Sequence, residues 1–151
     1  MNSKLMIPIV ALSLILLMGL YFLVNPSYEK SMRAKYYFET GDYKQALVLS
    51  KEAFSLDSYN RMASTITAQS ITSLKYVKYI DAAKGYMKDI DEIATHEYIS
   101  DGDKAKIRMI CEIMIGQYKK LAPSVITDKE LVSQSAIYYE KFEKLLEKVN
   151  R

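Results

Sequence analysis

Residues 27–60 read SYEKSMRAKYYFETGDYKQALVLSKEAFSLDSYN, and this stretch decides the fold. Just before it, Asn25-Pro26 pairs a capping side chain with a proline suited to the first helical position. The run SYEKSMRAKYYFET therefore predicts a helix that stops at Gly41. In the next run, DYKQALVLSKEAFSL, residues Tyr43, Ala46, Leu47, Ser50, Ala53 and Phe54 recur at spacings of three and four. That period puts them on one helix face. Two helices joined by a short glycine turn make an antiparallel hairpin.

Towards the C-terminus the helical pattern continues. Asn60 can cap a third helix, RMASTITAQSITSLK, with Ala63, Ile66, Ile71 and Leu74 on its inner stripe. A fourth helix is expected from about Tyr79 to Ala94, with Tyr79, Ala83, Tyr86, Ile90 and Ile93 aligned. EYISDGD reads as a loop whose aspartates favour the positive end of the next helix. That fifth helix, KAKIRMICEIMIGQYKKL, carries Ile107, Ile110, Met114, Tyr118 and Leu121 on one stripe, with Met109 and Ile113 off it. Apolar residues on more than one side predict a sandwiched helix. Pro123 closes this region, and Thr127-Asp128-Lys129-Glu130 fits the capping box that opens a sixth helix. Leu131, Ser135, Tyr138, Phe142, Leu145 and Val149 keep helical register along it.

Towards the N-terminus, Leu5–Val24 reads LMIPIVALSLILLMGLYFLV, 20 residues without a charge. At 1.5 Å per residue this is about 30 Å, the thickness of a hydrocarbon core. Tyr21 and Phe22 stand near its end, where aromatic rings favour the interface. A cleaved signal peptide has a shorter apolar region ending in small residues, and YFLVNPSY does not end that way. The expectation is an uncleaved anchor. Lys30, Arg33 and Lys35 alone would favour a cytoplasmic domain by the positive-inside rule. A tiny tail with one lysine ahead of the apolar run is the layout of a signal anchor, which favours a domain in a bacterial periplasm.

Composition narrows the function classes. The 151-residue chain has 5 glycines and 3 prolines, too few breakers for an all-β fold. Removing Lys4 from the 21 basic residues leaves 20 against 18 acidic ones, interleaved along the chain. A nucleic-acid binder concentrates its basic residues, and no such run exists. One cysteine, Cys111, makes neither an internal disulfide nor a zinc cluster.

The 34 residues from Ser27 to Asn60 resemble a tetratricopeptide repeat, whose period is 34. Ala34 matches the small residue of the repeat's first helix and Tyr37 its aromatic. Gly41-Asp42-Tyr43 matches the turn, and Ala46 and Ala53 match the small positions of the second helix. Leu56-Asp57-Ser58-Tyr59-Asn60 matches the terminal Leu-Asp-Pro-x-Asn with serine in place of proline. Arg33, Lys30 and Ser50 depart from the pattern. Arg61 to His96 has the outline of a second hairpin without the glycine turn. The resemblance implies a concave groove for a partner helix or peptide, with Lys35, Phe38, Glu39 and Asn60 on partner-binding positions.

Signs of chemistry are sparse. His96, the only histidine, reads as a solvated capping group. Asp101 and Asp103 lack the twelve-residue ligand pattern of a calcium loop. Cys111 has no basic neighbour in sequence and reads as an inert buried thiol. No P-loop, Rossmann or nucleophile-elbow signature is present. Of the 13 tyrosines, Tyr28, Tyr59 and Tyr98 need not be buried, and exposed tyrosine suits interfaces.

The sequence thus predicts an all-α protein: a tail and transmembrane anchor at residues 1–25, then about six antiparallel helices in tetratricopeptide-like hairpins at 26–151. No enzyme activity, cofactor, metal, nucleic acid or small-molecule substrate is expected. The expected partners are the membrane, through Leu5–Val24, and other proteins at the membrane or in the periplasm. The leading role is a scaffold or assembly factor of a bacterial envelope machine, for which a flagellar-motor accessory component is one setting. The alternative is a chaperone-like adaptor beside the secretion translocon.

Overall fold

The structure, a computed structural model, describes residues 3–150, apart from the side chains at positions 3–5, 22 and 23. The expected tail residues Met1 and Asn2, and the side chains of Lys4, Leu5 and Phe22, therefore lie outside the described residues. Six α-helices follow in order among the described residues: α1 Ser3–Val24, α2 Pro26–Glu39, α3 Tyr43–Leu56, α4 Arg61–Ala94, α5 Asp101–Tyr118 and α6 Lys129–Asn150. The all-α expectation holds. The chain divides into two compact units, Met1–Ser70 and Ile71–Arg151, with the boundary inside α4.

In the first unit α2 and α3 form the expected hairpin. The Asn25 side chain accepts the Ser27 N–H at 3.0 Å, and Pro26 occupies the first turn. Gly41 has φ of 85°, a left-handed turn that strains a residue with a Cβ. Asp42 then caps α3 by accepting the Gln45 N–H at 3.0 Å. The two helices run antiparallel, because Ser27 at the start of α2 donates to the Ala53 carbonyl near the end of α3 at 2.8 Å. Ala34, Ala46 and Ala53 are fully buried, so the small residues sit where the helices approach closely. Leu49 and Ile66 complete the buried cluster, with Tyr37 and Phe38 against it.

The second unit packs three antiparallel helices. Its core joins Tyr79, Ile80, Ala83, Ile90 and Ile93 of α4 to Ile107, Ile110, Cys111 and Met114 of α5 and Phe142 of α6. Arg108, two turns into α5, donates from Nε to Oδ1 of Asn150 at the end of α6 at 2.8 Å. Tyr118 stacks on Tyr139 with ring centroids 4.4 Å apart. Ser100 and Asp103 form a reciprocal capping box that starts α5.

Several expectations need correction. The third and fourth helices are one 34-residue helix, so five helices rather than six follow α1, and Arg61 to His96 is not a second hairpin. Between Lys75 and Tyr79 there is no glycine or proline to stop a helix. Ile71 is 40% exposed, because Ala63, Ile66, Ser70 and Ser73, spaced by three and four, hold the buried face. Phe54 is likewise exposed while Leu49 is buried. Met109 and Ile113 are exposed, so α5 is covered on one side only among the described residues. The cap of α6 is Asp128, whose carboxylate accepts the Glu130 N–H at 2.8 Å, while Thr127 instead accepts the Ser124 N–H. Asp128 Oδ1 reaches the second amide of the helix from one residue closer than Thr127 could.

Among the described residues no single helix is long and apolar enough to cross a membrane. Met6–Tyr21 and Pro26–Glu39 pass that test only as a pair bent by 75°.

Candidate protein-docking surface

The exposed face of α2 follows from its buried one. Ser27, Ser31 and Ala34, at spacings of four and three, are the buried residues of this helix. Small side chains on that face let α3 come close, and the larger apolar residues fall on the other side. Met32 and Tyr36, one turn apart, are 59% and 64% exposed. Charged pairs flank them: Arg33 lies 3.7 Å from Glu29, and Lys35 lies 3.6 Å from Glu39. Exposed pairs of this kind contribute little to stability. Their charges can re-pair with an incoming protein at small cost. A short apolar strip with a charged rim has the composition of a protein interface.

The four sequence-derived positions divide in two. Lys35 and Glu39 lie together on this face. Phe38 is half-buried, edge-to-face with Tyr43 at 5.3 Å, and packs against the hairpin core. Asn60 is fully buried. Its amide nitrogen donates to Ser27 Oγ at 2.9 Å and Ser31 Oγ at 3.1 Å, and its oxygen accepts the Ala63 N–H at 3.1 Å. Asn60 thus caps α4 and ties it to α2, and no surface of it is left for a partner. Met32 and Tyr36 are functional candidates that the sequence reading does not single out, since no repeat position marks them. The available signal was that Ser27, Ser31 and Ala34 already form one complete helical stripe.

The remaining polar groups serve the fold. His96 Nδ1 stands 3.8 Å from Asp103 Oδ2 at an exposed loop. The Ser100 hydrogen bonds hold the Asp103 carboxyl below its ordinary range, with the nearby imidazole assisting. Burial pushes the Cys111 thiol up, aided by Glu112, which disfavours the reactive thiolate. Burial also raises the Tyr79 phenol, and its hydroxyl has no hydrogen-bond partner among the described residues. A cleft of about 630 Å³ opens between Leu17, Leu20, Tyr21, Val24, Asn25, Pro26 and Leu56. Among the described residues no group of three or more His, Cys, Asp or Glu side chains could hold a metal ion.

No protein family, curated protein or solved structure matches this chain.

Proposed function

We propose that this protein is a membrane-anchored interaction scaffold, an assembly factor of a bacterial envelope machine that binds another membrane-proximal protein through α2. The observation that carries the reading is the Met32–Tyr36 strip with its Lys35–Glu39 rim, exposed on the first helix after an apolar one. Every described side chain from Met6 to Tyr21 is exposed. A helix that is apolar all round is covered in its working environment by lipid or protein. The segment Met6–Tyr21 spans about 24 Å at 1.5 Å per residue, and the flanking apolar residues of Leu5–Val24 bring the run to about 30 Å. The tetratricopeptide-like hairpin, with Ala34, Ala46 and Ala53 at its close approach, supplies a rigid support for the strip.

The test uses the full chain in native membranes. Alkaline extraction should leave it in the pellet. Ser58→Cys, an exposed loop position, should react with an impermeant maleimide from the periplasmic side before lysis. A photo-crosslinking residue at Tyr36 should capture one dominant protein in stoichiometric yield, and Lys35→Glu should abolish that product without changing the melting curve. Release by alkali rejects the anchor. Labelling only after lysis moves the domain to the cytoplasm. A smear of unrelated products at position 36 rejects the scaffold.

A further inference from the structure

A second surface lies wholly within the C-terminal unit. One cleft of about 390 Å³ is lined on α4 by Lys75, Lys78, Tyr79, Ala82 and Tyr86, on α5 by Gln117, and by Leu121 just beyond the end of α5. A second, of about 300 Å³, continues past Ala82 and Tyr86 to Gly85 and Asp89. The shared residues join the two into one furrow along α4. Lys75, Lys78, Ala82, Gly85 and Asp89 step by three and four, and Tyr79 and Tyr86 lie beside them, so the lining shares one helix face. Fourteen steps of 1.5 Å from Lys75 to Asp89 make the furrow about 21 Å long, four turns of helix.

Its charge is polarised. Two lysines line one end and no carboxylate accompanies them there, while Asp89 closes the other. The middle is apolar and low. Gly85 sits inside a 34-residue helix, where glycine is among the least favourable residues. A Cβ at this position would meet nothing within 4 Å, so no packing within the protein requires the glycine. Its absence of side chain instead lets another backbone approach closely. Tyr79, which lines the same cleft, keeps a buried hydroxyl without a partner among the described residues.

We propose that this furrow takes an amphipathic helix of about four turns from a partner protein, with acidic residues in its first turn and a basic residue in its last. The helix runs parallel to α4. Its acidic N-terminal turn, the end its own dipole favours for carboxylates, meets Lys75 and Lys78, and its basic end meets Asp89. Its apolar face lies over Ala82, Gly85 and Tyr86. The assignment rests on the scaffold reading and adds to it a second docking site and the chemistry of what docks there.

The experiment uses the full chain in lipid nanodiscs and two fluorescein-labelled helical peptides of about fourteen residues. Both carry leucine and alanine on one face. One has glutamates in its first turn and lysine in its last, and the other has these charges exchanged. Anisotropy should show saturable binding of the glutamate-first peptide, at least tenfold tighter than its counterpart. The triple variant Lys75→Glu, Lys78→Glu, Asp89→Lys changes exposed residues only and should reverse the preference. Gly85→Leu should raise the melting temperature through better helix propensity yet abolish binding. Equal binding of both peptides, an unchanged preference in the triple variant, or absence of saturable binding each overturns the proposal. Crosslinking at position 36 reads the α2 surface separately. If it persists while the peptides fail, the furrow assignment falls and the scaffold reading stands.

Discussion

Replacing Asn60 with alanine should loosen the whole N-terminal hairpin, and the structure sets the size of the effect. Three hydrogen bonds disappear at a fully buried position: two donated to Ser27 and Ser31, and one accepted from the Ala63 N–H. Loss of a helix cap costs about 1 kcal/mol. Each of the other two bonds contributes about 1 kcal/mol net. Ser27 and Ser31 keep their own donations, to the carbonyls of Ala53 and Tyr28 at 2.8 and 3.0 Å, so neither hydroxyl is orphaned. The total is about 3 kcal/mol. Asn60→Ser retains an acceptor for the Ala63 N–H and loses the two donated bonds, about 2 kcal/mol. The assay is hydrogen exchange on the full chain in detergent micelles, followed in peptides from α2 and α3. At 1.4 kcal/mol per decade, protection should fall roughly hundredfold in Asn60→Ala and about fivefold less severely in Asn60→Ser. A loss below tenfold in the alanine variant, or identical behaviour of the two, would show that Asn60 does not tie α4 to α2 as described.

Three further outcomes are expected. Ala46→Leu should destabilise the chain by about 1–3 kcal/mol, because the methyl is fully buried where α2 and α3 approach, and an unchanged urea midpoint rejects that packing. Tyr79→Phe should stabilise by about 1 kcal/mol, since it removes a buried hydroxyl with no partner among the described residues, and a destabilised variant would reveal an unseen bond. Asp103 is held below the ordinary carboxylate range by Ser100, so its contribution to stability is complete at neutral pH and is lost as pH falls through the depressed value. Carboxyl NMR titration should show Ser100→Ala moving the Asp103 midpoint upward, and an unmoved midpoint removes the serine as the cause.

Much of the molecule is legible from local chemistry. The Asn25-Pro26 start, the Gly41 turn and the Asp42 cap act through neighbours a few residues away, so sequence alone determines them. Helical period places Ala46 and Ala53 inward for the same reason. The all-α class and the apolar character of Leu5–Val24 also need no tertiary information. Local signals mislead where a decision depends on what else is nearby. A gap in the apolar pattern between Lys75 and Tyr79 resembles a loop, yet backbone hydrogen bonds continue a helix unless a breaker or a competing cap stops it. Thr127 and Asp128 both suit a cap, and only the path of the chain at Ser124 decides which one serves. Asn60 fits a partner-facing position in an isolated repeat, whereas Ser27, Ser31 and the Ala63 N–H give it three partners in the folded unit. Met32 and Tyr36 are apolar enough for a core, and they face outward because serine and alanine already fill the side turned to α3. Sequence by itself determined the all-α class and the caps and turn of the α2–α3 hairpin, because these act within a few residues. Only the tertiary structure decided which face of each helix is covered, because burial depends on residues distant in the chain.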